Sequence, residues 1–189
     1  MARFGYIATL VAVLCTAAIV GAGALSRKSD LPALTAGSAE PDFATVVKGY
    51  RMWPRINSEP YKMPAAVIAA CSDPKPGQVS PHTGVDGYID VYVNPSGRSS
   101  MLTQGPVAFP VGSIIVKEKR HDPNASDPEL LTVMLKRTKG YNPAVGDWEF
   151  AVLDGKAVAV QAQGKLENCM QCHKTVPSSD YVFRPYIPK

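Results

Sequence analysis

Charge is scarce in this chain: 19% of its 189 residues are Asp, Glu, Lys or Arg, and no run of one sign gathers them. The formal net charge of +4 sets a mildly basic surface and excludes the basic stripe that a nucleic-acid partner would require. Histidine and cysteine are scarcer still, with three and four residues. Beyond one cluster near the C-terminus there is no second Cys-x-x-Cys and no His-x-His pair; Cys71, His82 and His121 are scattered. A structural zinc site therefore lacks its fourth ligand. Repeats and low-complexity tracts are also absent. A chain of this length with 46% hydrophobic residues has enough material for one real core, and a single domain is the expectation.

Only one hydrophobic run is long. Arg3 precedes an apolar stretch from Ile7 to Leu25, which ends in the small residues Ala22-Gly23-Ala24. That pattern reads as an export signal over residues 1–25, cleaved or retained as an N-terminal membrane anchor. Cys15 lies inside it after the bulky Leu14 and reads as a small hydrophobe. Residues 26–41 are small, polar and proline-bearing, a flexible linker. The working domain is expected over residues 42–189, outside the cytoplasm, where paired thiols are oxidised or committed to a cofactor.

Within that domain the hydrophobic period changes along the chain. In "PDFATVVKGYRMW", Phe43, Val46, Val47 and Tyr50 recur at helical spacing, with Asp42 placed to suit the helix dipole. A short apolar helical piece is expected in "AAVIAACSDP". From Tyr88 the period becomes two: Ile89, Val91 and Val93 alternate with Tyr88, Asp90 and Tyr92. "FPVGSIIVKEKR" predicts a second strand, with Ile115 and Lys117 on one face and Ile114, Val116 and Glu118 on the other. "LLTVMLKRTKG" predicts a third, and "GDWEFAVLDGKAVAV" a hairpin turning at Asp154-Gly155. The expected fold class is α+β, a mainly antiparallel sheet of about four to six strands with flanking helices.

The C-terminal cluster is Cys169-Met170-Gln171-Cys172-His173, the spacing that attaches c-type haem. On a helix, residues three apart share a face, so both thiols can bond one porphyrin edge while His173 ligates the metal. A thiol-disulfide oxidoreductase also uses Cys-x-x-Cys, but in a parallel βαβ setting that this strand pattern does not offer. The expected cofactor is one covalent haem c, held by Cys169, Cys172 and His173, with His173 as the metal ligand. Cys71 is then left as a buried small hydrophobe.

The distal position decides between classes. A methionine there makes an electron carrier, whereas an open site binds small ligands. Met101, in "GRSSMLTQG", is the axial candidate, with a partly buried loop residue as its ordinary reading. Met134 reads as core, and His82 and His121 as loop residues. Small electron-carrying c cytochromes are typically helical with the motif near the N-terminus, unlike this order of elements.

Taken in order, "YVNPSG", "FPVGSIIVKEK", "GDWEFAVLDG", "CMQCH" and "DYVFRPY" resemble the cytochrome P-460 family, which includes the c′-beta cytochromes; the likeness runs from about Asp42 to Pro188. The resemblance implies a periplasmic monohaem protein, often dimeric, with its haem near the C-terminus and a usually five-coordinate iron. It implies either oxidation of hydroxylamine or binding of nitric oxide and carbon monoxide, with a periplasmic redox partner. It also points to Lys117, which matches the lysine that the P-460 enzymes cross-link to their porphyrin. Two departures stand out. Thr132, flanked by Leu131, Val133 and Met134, occupies the place of the enzymes' distal carboxylate, and Ile89 that of a distal arginine. Without a general base, hydroxylamine turnover should be slow. An apolar pocket gated by Ile89, Thr132 or Met134 suits an uncharged gas. The alternative is a six-coordinate electron-transfer cytochrome.

Overall fold

The computed structural model describes residues 41–63, 87–120 and 122–187. The apolar piece at Ala65–Pro74, Cys71, His82, His121, and the N-terminal segment and linker lie outside them. The described residues form an α+β fold around one six-stranded antiparallel sheet. Its strands are β1 (Tyr61–Met63), β2 (Gly87–Val93), β3 (Ile114–Arg120), β4 (Leu130–Lys136), β5 (Trp148–Asp154) and β6 (Val160–Gly164). They lie side by side in chain order, each paired antiparallel with the next. Among the described residues three α-helices accompany them: α1 (Phe43–Val46), α2 (Pro95–Leu102) and α3 (Glu167–His173).

Register sorts the side chains onto two faces, because successive residues of a strand point to opposite sides. Val91, Lys117, Thr132 and Val152 stand in one cross-strand row, and Val93, Ile115, Met134 and Phe150 in the next. Apart from Lys117 and Thr132, these residues join Trp148, Leu166 and Val182 in one buried cluster. Val116, Leu131, Val133, Ala151 and Leu153 face the other way and pack under Phe43, Val47 and Tyr50. Both faces are therefore covered, and each fully buried Val, Leu or Phe contributes about 1.5–3 kcal/mol.

The covered back face also buries charge. Asp90 and Glu118, directly opposed across β2 and β3, are both 0% exposed. Arg120 lies 2.6 Å from Glu118 and 2.8 Å from Asp90, bridging two carboxylates that would otherwise repel. Tyr50 donates its hydroxyl to Glu118 at 2.6 Å and Arg51 its Nε at 2.7 Å. The segment after α1 is thus bolted to the sheet.

Three local expectations change. The N-terminal helix is one turn long and stops short of Tyr50, because Gly49 takes φ 74 and the chain re-enters only a 3-10 turn at Tyr50–Met52. The hairpin after β5 forms, yet Asp154-Gly155 is not a two-residue turn. Asp154 Oδ1 instead accepts from the amides of Val158 and Ala159 across a longer loop. Gly155 is needed for space, since a Cβ there would lie 1.9 Å from the Pro128 carbonyl oxygen. Finally, "GRSSMLTQG" is not a loop. Asn94 caps α2 by accepting from the Gly97 amide, with Pro95 in the first turn.

Candidate functional site

The chain leaves β6 at Gly164, where φ is 108, and turns into α3. Leu166, 5% exposed, anchors the helix start in the core, and Glu167 in the first turn complements the dipole. Three-residue spacing then sets Cys169 and Cys172 on one helix face. They are not joined in a disulfide. Cys169 packs against the apolar sheet face. Burial pushes its thiol up to about 12, the Cys172 thiol adds to the rise, and the positive charge of Lys117 pulls it back. The sheet and α3 thus bring Lys117 within electrostatic reach of Cys169.

His173 closes the helix, half-buried, where a cation or proton donor suits the dipole. Its Nδ1 lies 2.6 Å from the Tyr181 carbonyl oxygen. A carbonyl only accepts, so Nδ1 carries the proton and Nε2 the lone pair, the tautomer of a metal ligand. The imidazole packs against two rings, Phe150 at 5.3 Å and Phe183 at 5.2 Å between centroids. Both contacts restrict its rotation.

The tail "DYVFRPY" holds this arrangement. Arg184 donates to the carbonyls of Ser100, Thr103 and Gly105 at 3.2, 2.5 and 2.8 Å, tying the tail to the end of α2. Tyr186 donates to the Phe183 carbonyl at 2.9 Å and meets Tyr61 edge to face. Tyr181, Phe183 and Phe150 had not been singled out from the sequence as parts of the site. An aromatic residue within ten positions of the motif's histidine was the available signal for Phe183; the Tyr181 carbonyl and the strand residue Phe150 left none.

Opposite α3, Ile89, Thr132 and Met134 share the sheet face of Lys117, whereas Leu131 and Val133 turn to the back. On this face β2, β3 and β4 carry three lysines, Lys117, Lys119 and Lys136, and no carboxylate; Asp90 and Glu118 belong to the back. Lys119 is 5% exposed, and burial holds its amine below the usual lysine range, opposed by the charge of Glu129. Met101, expected as a partly buried loop residue, lies in α2, fully buried in the apolar cluster. Met134 is buried in that same cluster.

Two thiols on one helix face, an imidazole fixed as the Nε2 donor and an apolar sheet beside them form a donor set that fits a porphyrin bound through two thioethers and one axial nitrogen. A family model described as Cytochrome P460 matches residues 47–184. No curated protein matches the chain.

Proposed function

Because the chain belongs to the cytochrome P460 family, we propose that it is an exported cytochrome carrying one covalent haem c on Cys169, Cys172 and His173 and binding small uncharged gases such as nitric oxide and carbon monoxide. When bound, the haem supplies an iron able to take a small ligand or an electron. The protein's part is to hold it: Cys169 and Cys172 tether, and His173 donates from Nε2. The fixed Nδ1–Tyr181 contact beside the two thiols is the observation that carries this reading.

The choice of gas over hydroxylamine rests on the sheet face toward Lys117. Oxidising hydroxylamine requires a group that removes protons, and β2 to β4 present no carboxylate there. Ile89, Thr132 and Met134 set access and polarity instead. Lys117 stands in the middle of that face, between Val91 and Thr132, and the family likeness makes it the candidate for a porphyrin cross-link. Export to the periplasm follows from the N-terminal segment and from thioether attachment taking place outside the cytoplasm. A periplasmic redox partner and a homodimer accompany the same reading.

The test is production of the full chain with c-type maturation factors, followed by reduced spectra with and without carbon monoxide. Haem retained through denaturation and a spectrum moved by carbon monoxide are expected. A colourless protein ends the reading, and a haem spectrum unmoved by carbon monoxide replaces the open site with the six-coordinate electron carrier. For Lys117, an identical Soret maximum and haem-adduct mass change in wild type and Lys117→Ala reject the cross-link.

A further inference from the structure

Asp180 and Tyr181 are consecutive residues at φ 51 and φ 64, the left-handed region. Each non-glycine residue there costs about 1–2 kcal/mol, least for Asp and more for Tyr. Two in succession persist only where surrounding contacts over-determine them. The contacts are identifiable. Asp180 Oδ2 accepts from the Phe109 amide at 2.7 Å and from Lys136 Nζ at 2.5 Å, and the Asp180 carbonyl accepts from Trp148 Nε1 at 2.7 Å. Lys136 lies over the Trp148 ring at 5.1 Å. Tyr181 in turn donates its amide to the Val176 carbonyl at 3.0 Å. Packing is equally strict: a Cβ on Gly146 would stand 2.6 Å from Asp180 Oδ1 and 2.7 Å from Tyr181 Cδ2.

These contacts hold the turn that carries the Tyr181 carbonyl, the group that meets His173 Nδ1 at 2.6 Å. We infer that Asp180 is a positioning residue for His173: by pinning the strained turn to β4, β5 and the loop before β3, it presses the Tyr181 carbonyl onto Nδ1 and sets how strongly the imidazole donates to its metal. The inference rests on the haem reading of the motif. A carbonyl that accepts the Nδ1 proton raises the basicity of Nε2. When Asp180 lets go, Tyr181 can leave its strained φ, the carbonyl withdraws and His173 becomes a weaker donor. Lys136 neutralises the buried carboxylate, and both side chains are nearly covered, at 12% and 11% exposure.

The experiment compares holoproteins of the wild type, Asp180→Asn, and the charge-neutral pair Asp180→Asn/Lys136→Gln, reading the Fe–His stretching band and the midpoint potential. Asn keeps the volume and the left-handed tolerance. The neutral pair removes the hub without changing net charge, so its potential reports position rather than field. Both variants are expected to lower the Fe–His frequency and to favour the reduced form about tenfold, 59 mV for one electron. Glu118→Gln, on the back of the sheet, should lower stability and leave both readings alone. Unchanged readings in the pair overturn the inference, as does a shift of equal size in Glu118→Gln. If the pair does not accumulate, the Fe–His band of Asp180→Asn alone decides. A wild type without haem overturns this and the proposed function together; a loaded wild type with insensitive variants overturns this alone.

Discussion

Glu118 offers the sharpest test of how the back of the sheet is held. It is 0% exposed and accepts from Tyr50, Arg51 and Arg120. Burial alone would raise its pKa, but the hydrogen bonds from Tyr50, Arg120 and Arg51 outweigh that and hold the carboxyl below its usual range. In Glu118→Gln the shape remains, one acceptor is lost and an NH2 group is turned toward donors. Arg51, 48% exposed, can turn to water, so its loss is small. Arg120, 14% exposed, and the buried Tyr50 hydroxyl cannot, and together they account for about 3 kcal/mol. For a domain of this size that is a Tm lower by about 9 °C. The pH dependence has a definite sign. A carboxyl depressed in the folded state contributes stability that is present above its unfolded pKa and lost as pH falls through the folded one. The wild-type minus Glu118→Gln difference in unfolding free energy, from denaturant titrations across the acid range, should be full near neutrality and shrink as acid protonates Glu118. A difference that stays constant into strong acid, or grows, refutes the reasoning.

Other expectations are local. Gly146→Ala combines a left-handed backbone with a Cβ 2.6 Å from Asp180 Oδ1 and should lose about 3 kcal/mol; near-wild-type denaturation would show that the turn yields. Arg184→Met removes the donors to the carbonyls of Ser100, Thr103 and Gly105. It should cost about 2 kcal/mol and accelerate hydrogen exchange in α2 before the sheet; uniform acceleration would argue against a local clamp. Replacing both Cys169 and Cys172 by Ala should give a chain that surrenders its haem on denaturation. Haem retained through a denaturing gel would mean attachment elsewhere.

The strands were legible because alternation is a direct image of a two-faced sheet. "YIDVYV" and "IIVKEK" assign their faces residue by residue, and β2 and β3 follow that assignment. What alternation could not convey is that the second face is also buried. Asp90 and Glu118 read as the polar face of their strands, and only α1 and the turn after it, distant in sequence, make that face an interior. The motif pointed to Cys169, Cys172 and His173 because thioether attachment to a haem would fix that spacing. The carbonyl partner of His173 was invisible for the opposite reason: a backbone oxygen has no residue type, and its placement depends on two left-handed residues that sequence patterns do not mark. α2 was missed although Asn94-Pro95 is a serviceable start signal, because its eight residues (Pro95–Leu102) include Gly97 and three serines and carry almost no apolar periodicity.

β3 joins these two levels. Its alternation gives Lys117 to the face that meets Cys169 and Glu118 to the face that meets Tyr50, so one seven-residue strand serves both the candidate site and the clamp behind it. A one-residue slip against β2 and β4 would exchange them, burying Glu118 and Arg120 opposite the thiols and setting Lys117 and Lys119 beside Tyr50 and Arg51. Such a slip crowds lysines against Arg51 on the back face, takes Arg120 away from Asp90 and buries an ion pair against the apolar face, each unfavourable. The ionic cluster behind the sheet therefore does more than add stability: it favours the register that presents Lys117 to α3 over a one-residue slip.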